Sequence, residues 1–165
     1  MASVALKVVI ATDAWKPQIN GVVTTLSHVE GYLRAQGCEV RVIHPGDFHT
    51  FALPNYKEIC VAWNVWKFAE IFESFKPDCV HIATEGPIGL AARRYLTKRG
   101  LPFTTSLHTK FPEYVNQRIG MPVSWGYAFL RWFHEPSKAT LVTTESMRDE
   151  LTARGLKDLV VWTRG

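Results

Sequence analysis

A loop that closes with Asn20, Gly21 and Val22 is the first segment whose residue types could bind a ligand. It follows the apolar run 6–11 and leads directly into a stretch with helical periodicity. Glycine lets a phosphate approach the backbone closely, and the first N–H groups of a helix, here including Val23, can face an anion. The segment matches neither GxGxxG nor GxxxxGK[ST]. Spacing alone therefore favours an ordinary turn between a strand and a helix.

Two later segments also place polar groups after apolar, β-branched runs. Residues 84–86 (Thr-Glu-Gly) precede Pro87, and this pattern favours simple capping of a helix over the rim of a cleft. Residues 108–110 (His-Thr-Lys) could hold a polar ligand, with the histidine donating a hydrogen bond and the other two facing a phosphate. For this second segment a ligand site and a solvated turn are equally good interpretations.

The remaining patterns argue against several other chemistries. The sequence has no GxSxG elbow, no paired carboxylates and no Cys or His spacing typical of zinc. Its formal net charge of +4 comes without a dense Lys/Arg block, so we expect no nucleic-acid partner. Cys38, Cys60 and Cys79 lie in apolar surroundings, which predicts reduced core thiols in a cytosolic protein.

Strand and helix signals alternate along the 165 residues, of which 47% are apolar. Strands are predicted at 6–11, 40–43, 79–83, 103–105, 140–142 and 159–162. Helices are predicted between them, with 44–56 as a loop and 111–136 as two helices divided at 120–122. This alternation predicts an α/β fold with a parallel sheet flanked by helices. In such sheets ligands bind beyond the carboxyl ends of the strands, where all three polar segments lie.

The segment 125–133 combines five aromatic residues with nearby arginines at 118 and 131. Such a helix could lie on anionic lipid, but its apolar residues fall nearly all round, which favours burial. No apolar run approaches the roughly 20 residues that span a bilayer, and the first residues do not resemble a signal peptide.

Five blocks, taken together, resemble glycosyltransferase family 4. They are VVIATDAWKPQINGVVTTL, HIATEGPIGLAAR, TSLHTKFPEY, ATLVTTESMRDELTARG and VVWTRG, and they cover essentially the whole chain in order. The resemblance is greatest to GDP-mannose-dependent α-mannosyltransferases and glycolipid synthases. It implies a GT-B architecture of two Rossmann-like domains. Residues 1–165 would form the N-terminal, acceptor-side domain, and a C-terminal domain outside this chain would bind the donor.

The resemblance also implies roles for individual residues. Asn20, Gly21 and Val22 match the loop that lies against the donor diphosphate, which reverses the interpretation of this segment as an ordinary turn. His108 matches the catalytic position, a strand-end histidine that reaches the transferred sugar. The implied acceptor-binding residues are Glu85, Gly86, Thr109, Lys110 and Arg118.

The implied activity transfers a hexose, mannose or glucose, from a GDP- or UDP-linked sugar to a lipid or glycolipid, with retention at the anomeric carbon. Positioning and charge stabilisation would carry the rate, with no cofactor and no metal. We expect the isolated domain to be inactive and the protein to be cytoplasmic, with peripheral contact at the inner face of the membrane. The residues alone leave open a stand-alone flavodoxin-like domain that binds a small anionic ligand without catalysis.

Overall fold

The computed structural model describes residues 5–108 and 111–163. The chain divides into two compact units, Met1–Phe103 and Thr104–Gly165. In each unit parallel β-strands alternate with helices. The Rossmann-like α/β fold predicted from the sequence is therefore confirmed.

The first unit contains five strands and three helices. They are β1 (Lys7–Ala11), α1 (Gly21–Ala35), β2 (Glu39–Ile43), β3 (Thr50–Leu53), β4 (Tyr56–Ala62), α2 (Phe68–Phe75), β5 (Cys79–Ile82) and α3 (Pro87–Arg99), with 3-10 turns at Pro45–Asp47 and Val65–Lys67. Strand β1 lies between β2 and β5, so that Val8 pairs with both Val40 and Cys79. This central position explains why β1 is apolar on both faces.

Apolar side chains of β1, β2 and α1 form the core of the first unit. Ile10 and Leu26 are almost fully buried, and Val40 and Val42 pack against them. Leu26 belongs to the α1 face that the periodicity of the sequence predicts, with Val22, Val29 and Leu33 partly buried on the same cluster. The core thereby fixes the start of α1 beside the end of β1.

The expectation of a loop over 44–56 is wrong, because β3 and β4 form an antiparallel hairpin there. Residues 54–55 (Pro-Asn) fall between the two strands, where a proline removes no ladder hydrogen bond. The buried side chain of Asn64 closes the base of the hairpin by accepting a hydrogen bond from the His49 N–H at 2.7 Å. Strand β3 is short and mostly exposed, which hides it from a search for buried apolar runs. Strand β4 ends in the apolar residues 59–62, and Ala62 is buried.

The second unit contains three parallel strands and three helices. They are β6 (Thr104–Leu107), α4 (Phe111–Ile119), α5 (Val123–His134), β7 (Thr140–Val142), α6 (Glu145–Ala153) and β8 (Leu159–Val161). Strand β7 pairs with β6 and β8, with Val142 opposite Leu107 and Val161. The predicted division of 111–136 into two helices is confirmed, and Thr144 caps α6 by accepting from the Met147 N–H.

Two expectations about burial are corrected. Helix α5 buries Tyr127 and Phe133 but leaves Trp125 and Trp132 66% and 49% exposed. The expectation that this helix is buried on all sides is therefore wrong. Cys79 is exposed at the first position of β5, and only Cys38 and Cys60 are partly buried. Successive side chains of a strand lie on opposite faces, so Cys79 and the buried Val80 lie on different faces of β5. No helix among the described residues is long and apolar enough to cross a membrane.

Candidate functional site

The loop after β1 and the turn after β5 lie at the same edge of the first unit. Strands β1 and β5 are neighbours and parallel, and Ala11 pairs with Ile82 at their carboxyl ends. The predicted donor loop therefore starts next to the turn that holds Glu85 and Gly86. The expected position of ligand sites in open α/β sheets places both segments on a candidate binding edge.

Asp13 ties these two segments together, and the sequence analysis did not single it out. Its carboxylate accepts hydrogen bonds from the Thr84 hydroxyl at 2.7 Å, the Ile88 N–H at 2.8 Å and the Gly89 N–H at 3.2 Å. Its own N–H donates to the Thr84 Oγ1 at 2.7 Å. A signal was present in the sequence, because an acid two residues past a buried strand falls at the ligand-binding edge.

Burial raises the pKa of Asp13 above its usual value, although the hydrogen bonds from Ile88, Thr84 and Gly89 act to lower it. The nearby charge of Glu85 raises this pKa further. Burial is the largest of these effects, so the pKa of Asp13 is raised despite its three hydrogen bonds.

Glycines at 86 and 89 allow the turn to pack onto Asp13. A Cβ atom at position 86 would lie 2.6 Å from the Asp13 Oδ2, and one at position 89 would collide with the carbonyl oxygen of Thr84. Side chains do not approach so closely, so any larger residue would push the Asp13 carboxylate out of place. This close approach gives Gly86 a structural role in addition to the acceptor role that the resemblance implies.

Asn20 is the N-cap of α1, and its Oδ1 accepts a hydrogen bond from the Val23 N–H at 3.0 Å. The expectation that the Val23 amide faces an anion is therefore wrong, because the cap occupies it. The amides of Gly21 and Val22 belong to the first helical turn, whose N–H groups have no partner within the helix. Gly21 is exposed and Val22 is half-buried, so the Gly21 end of this turn is the more open to an anion.

Buried residues hold the loop before Gly21 in a defined shape. The Thr12 side chain is fully buried, donating to the Ala14 carbonyl at 2.9 Å and accepting from the Ala14 N–H at 3.1 Å. Trp15 packs into the core beside Leu26. The loop is thus anchored at its start, while Ile19 near its end is 99% exposed.

His108 lies in the second unit, directly after β6. Its Nε2 is 2.9 Å from the hydroxyl oxygen of Ser106, a buried residue of that strand. Its ring centroid is 6.2 Å from that of Trp162, which follows β8 and whose backbone N–H donates to the Val142 carbonyl at 2.9 Å. Sequence reasoning singled out neither Ser106 nor Trp162. Ser106 precedes His108 by two residues, a spacing that puts both side chains on one face of a strand, whereas nothing local links Trp162 to the histidine.

The other predicted acceptor residues have different outcomes. Arg118 is exposed on α4, with its guanidinium 4.8 Å from the ring centroid of Tyr114. Thr109 and Lys110 lie outside the described residues. The convergence of His108 with Gly21 and Glu85 on one wall stays a prediction. Within residues 5–108 and 111–163, no cluster of three or more His, Cys, Asp or Glu could hold a metal ion.

Comparison with known proteins identifies a family for most of the chain. The model of the family described as Glycosyltransferase Family 4 matches residues 19–165. This match includes Asn20, Gly21, Glu85 and His108 but begins after Asp13.

Several curated relatives are similar to the chain. A GDP-mannose-dependent alpha-mannosyltransferase of Mycobacterium tuberculosis is 24% identical over 97% of this chain and 47% of its own length. One with the same name from Corynebacterium glutamicum is 22% identical over 97% of this chain and 43% of its own length. An alpha-monoglucosyldiacylglycerol synthase of Acholeplasma laidlawii is 29% identical over 67% of this chain and 32% of its own length. The chain thus spans at most about half the length of these relatives.

Proposed function

The chain belongs to glycosyltransferase family 4, and from this premise we propose that it forms the acceptor-side part of a retaining hexosyltransferase. The donor would be a nucleotide-diphosphate sugar, and the acceptor a lipid or glycolipid. The observation that carries the proposal is the joining of the glycine loop to the Thr84–Gly86 segment through Asp13. Two segments that the family resemblance assigns to donor and acceptor are thereby held at one edge.

The names of the relatives support a choice of sugar and acceptor. The relatives named GDP-mannose-dependent alpha-mannosyltransferase match 97% of the chain, which favours mannose from GDP-mannose over glucose. The relative named alpha-monoglucosyldiacylglycerol synthase supports a lipid acceptor. GDP-mannose is therefore the first donor to test, and a glucose donor the second.

The amides of Gly21 and Val22 are proposed to receive the donor diphosphate. Negative charge develops on this group as the sugar leaves, and the positive end of α1 stabilises it. Asn20 caps the helix through the Val23 N–H, and the two preceding amides belong to the same first turn. Hydrogen-bond donors that are fixed in place before the reaction stabilise the developing charge without reorganising, which lowers the activation barrier.

His108 is proposed to contact the transferred sugar. The hydrogen bond to Ser106 restricts rotation of its ring, and Trp162 lies beside the same ring. A histidine held in this way can keep one ring nitrogen directed at a sugar hydroxyl. The contribution of Ser106 is then positioning, because it acts through His108.

Glu85 is proposed to bind the acceptor at the rim that follows β5, together with Gly86, Thr109, Lys110 and Arg118. We further propose that the donor-binding domain lies outside residues 1–165 and that the protein is cytoplasmic, with peripheral contact at the inner face of the membrane.

The family resemblance implies neither cofactor nor metal, so sugar transfer should persist when EDTA is added.

Sugar transfer by the full-length protein tests the proposal. Radiolabelled GDP-mannose and UDP-glucose are incubated with the enzyme and membrane lipids, and label in the lipid fraction is measured. His108→Ala should lower kcat about 100-fold or more, the scale for losing one positioned transition-state group. Ser106→Ala should lower kcat less, with little change in KM, because it removes positioning only.

Lys138→Gln serves as the control, since Lys138 is an exposed residue remote in sequence from the predicted site. Transfer from neither donor would contradict the proposed activity. Anion binding by the protein without any transfer would instead favour the stand-alone binding domain.

A further inference from the structure

A groove in the first unit has a lining unlike that of the candidate site. It runs between α3 on one side and the segment 65–69 on the other and has a volume of about 720 Å³. The α3 wall includes Pro87, Leu90, Ala91, Arg94 and Lys98. Positions 87, 91, 94 and 98 are three or four apart and 90 adjoins 91, so the groove follows one face of the helix from its first turn to its last. At 1.5 Å per residue, this face is about 16 Å long.

The lining of this groove suits an alkyl chain. Phe68 and Ala69 face the apolar residues of α3, and the lining contains no carboxylate, amide or aliphatic hydroxyl. The Tyr95 hydroxyl, which also lines the groove, already donates to Glu73 Oε1 at 2.7 Å. Away from its two cations, the lining offers few partners for the polar groups of a sugar or peptide, and unpaired buried polar groups are costly. An apolar chain has no such cost.

Two cations at the distal part of the groove indicate an anionic group. Arg94 and Lys98 are exposed and lie one turn apart on α3, and no ion pair involves either of them within the part of the chain that the structure describes. Arg99, by contrast, pairs with Glu73 at 2.8 Å. Like charges four residues apart on a helix repel, so a bound anion between them would relieve this repulsion.

Exposed indoles at the groove rim point to a lipid surface. Trp66 lines the groove and is 67% exposed, and Trp63 beside it is 53% exposed, with 5.6 Å between the ring centroids. The backbone N–H of Trp63 donates to the His49 carbonyl at 3.1 Å, which fixes this part of the backbone to the hairpin. Tryptophan is enriched where proteins meet the headgroup layer of a bilayer, because one end of the ring is apolar and the other polar.

We propose that this groove binds one acyl chain of an anionic membrane phospholipid, with the lipid phosphate between Arg94 and Lys98. Trp63 and Trp66 then lie in the headgroup layer. The site takes a lipid as a ligand and not as a sugar acceptor, so it does not depend on the proposed transfer.

Vesicle co-sedimentation of the full-length protein tests the charge component. The protein should bind phosphatidylglycerol vesicles more tightly than phosphatidylcholine vesicles. Arg94→Gln with Lys98→Gln should weaken binding to phosphatidylglycerol about 30-fold, at the usual contribution of a cation near an anionic membrane. The matched control is Lys138→Gln with Lys157→Gln, which removes two exposed charges from the second unit. An equal loss in this control would overturn the proposal.

A second variant separates groove binding from surface attraction. Ala91→Trp fills the groove without changing the charge, and circular dichroism verifies that the variant is folded. It should abolish binding of dodecyl phosphate, measured by tryptophan fluorescence, and weaken binding to phosphatidylglycerol vesicles at least tenfold. Unchanged binding of both probes would show attraction to the surface alone and overturn the proposal. Inorganic phosphate should not compete at equal concentration, and competition as strong as that of dodecyl phosphate would also contradict it.

Discussion

At the residue scale, Asp13 links the predicted donor loop to the predicted acceptor turn. It satisfies the N–H groups of Ile88 and Gly89 in the first turn of α3 and the hydroxyl of Thr84. A carboxylate that collects several donors in a desolvated place stabilises the folded state only while all of them remain bonded. Removal of the Asp13 carboxylate therefore leaves several hydrogen-bond donors without a partner and should destabilise the folded state.

Asp13→Ala should lower the free energy of unfolding by about 1–3 kcal/mol, because the amides of Ile88 and Gly89 would lose their partner in a partly buried place. Urea denaturation of both proteins measures the difference. Asp149→Ala is the control: its side chain is 70% exposed and pairs with Arg148 at the surface of α6. Exposed pairs contribute little, so equal losses in the two variants would contradict the role assigned to Asp13.

The raised pKa of Asp13 also predicts a pH dependence. Between the ordinary value of 3.8 and the raised folded value, the folded state binds more protons than the unfolded state. The stability from this protonation is fully present below pH 3.8 and is lost as the pH rises through the folded pKa.

Asp13→Asn cannot titrate at this position. The difference in unfolding free energy, wild type minus variant, should therefore decrease as the pH is raised from 4 to 8, as measured by urea denaturation. A difference that increases over this range would show that the pKa is lowered instead.

At the element scale, the turn between β5 and α3 depends on small residues. Gly86→Ala should destabilise the protein by about 1–3 kcal/mol, because the added methyl group overlaps the Asp13 carboxylate. Gly31→Ala is the matched control, since a Cβ at this position in α1 meets nothing within 4 Å. It should stabilise the protein by about 0.5–1 kcal/mol. Thermal denaturation should therefore shift in opposite directions, and a shift in the same direction would disprove the overlap.

The elements that sequence reasoning predicted correctly are those with a strong apolar pattern. Strand β1 is buried between two neighbours, and its uninterrupted run of apolar residues marks it. The hairpin of β3 and β4 was missed because β3 is mostly exposed and Pro54 resembles a loop signal, although the apolar residues 59–62 at the end of β4 were a signal for a strand. The buried Asn64 that closes the hairpin makes a contact 15 residues distant, which no local pattern reveals.

The candidate site shows the same limit. Gly21 and Asn20 stand in a recognisable turn, and the cap that Asn20 forms follows from local chemistry. Asp13 and Trp162 have roles only through partners that the fold brings close, and a single sequence does not display those contacts. Ser106 is two residues from His108, so this contact is local. Residue type and position after a strand could identify Asp13 as a candidate, but not its three partners.

At the scale of the whole molecule, the chain spans about half the length of the mannosyltransferases it matches. We therefore expect residues 1–165 alone to fold but to transfer no sugar from GDP-mannose, because two amides at the start of a helix do not form a donor site. Circular dichroism and the lipid-labelling assay measure the two properties. Transfer at a rate similar to that of the full-length protein would contradict the assignment of donor binding to another domain.

The contacts of Asp13 also bear on how the molecule folds. They join residues 71 to 76 positions apart, so they form only after β1 and β5 have come together. Contacts made late stabilise the native state against opening without assisting the search for it. Asp13→Ala should accordingly accelerate unfolding in stopped-flow measurements while leaving the refolding rate nearly unchanged, which makes this side chain a determinant of how long the native state lasts.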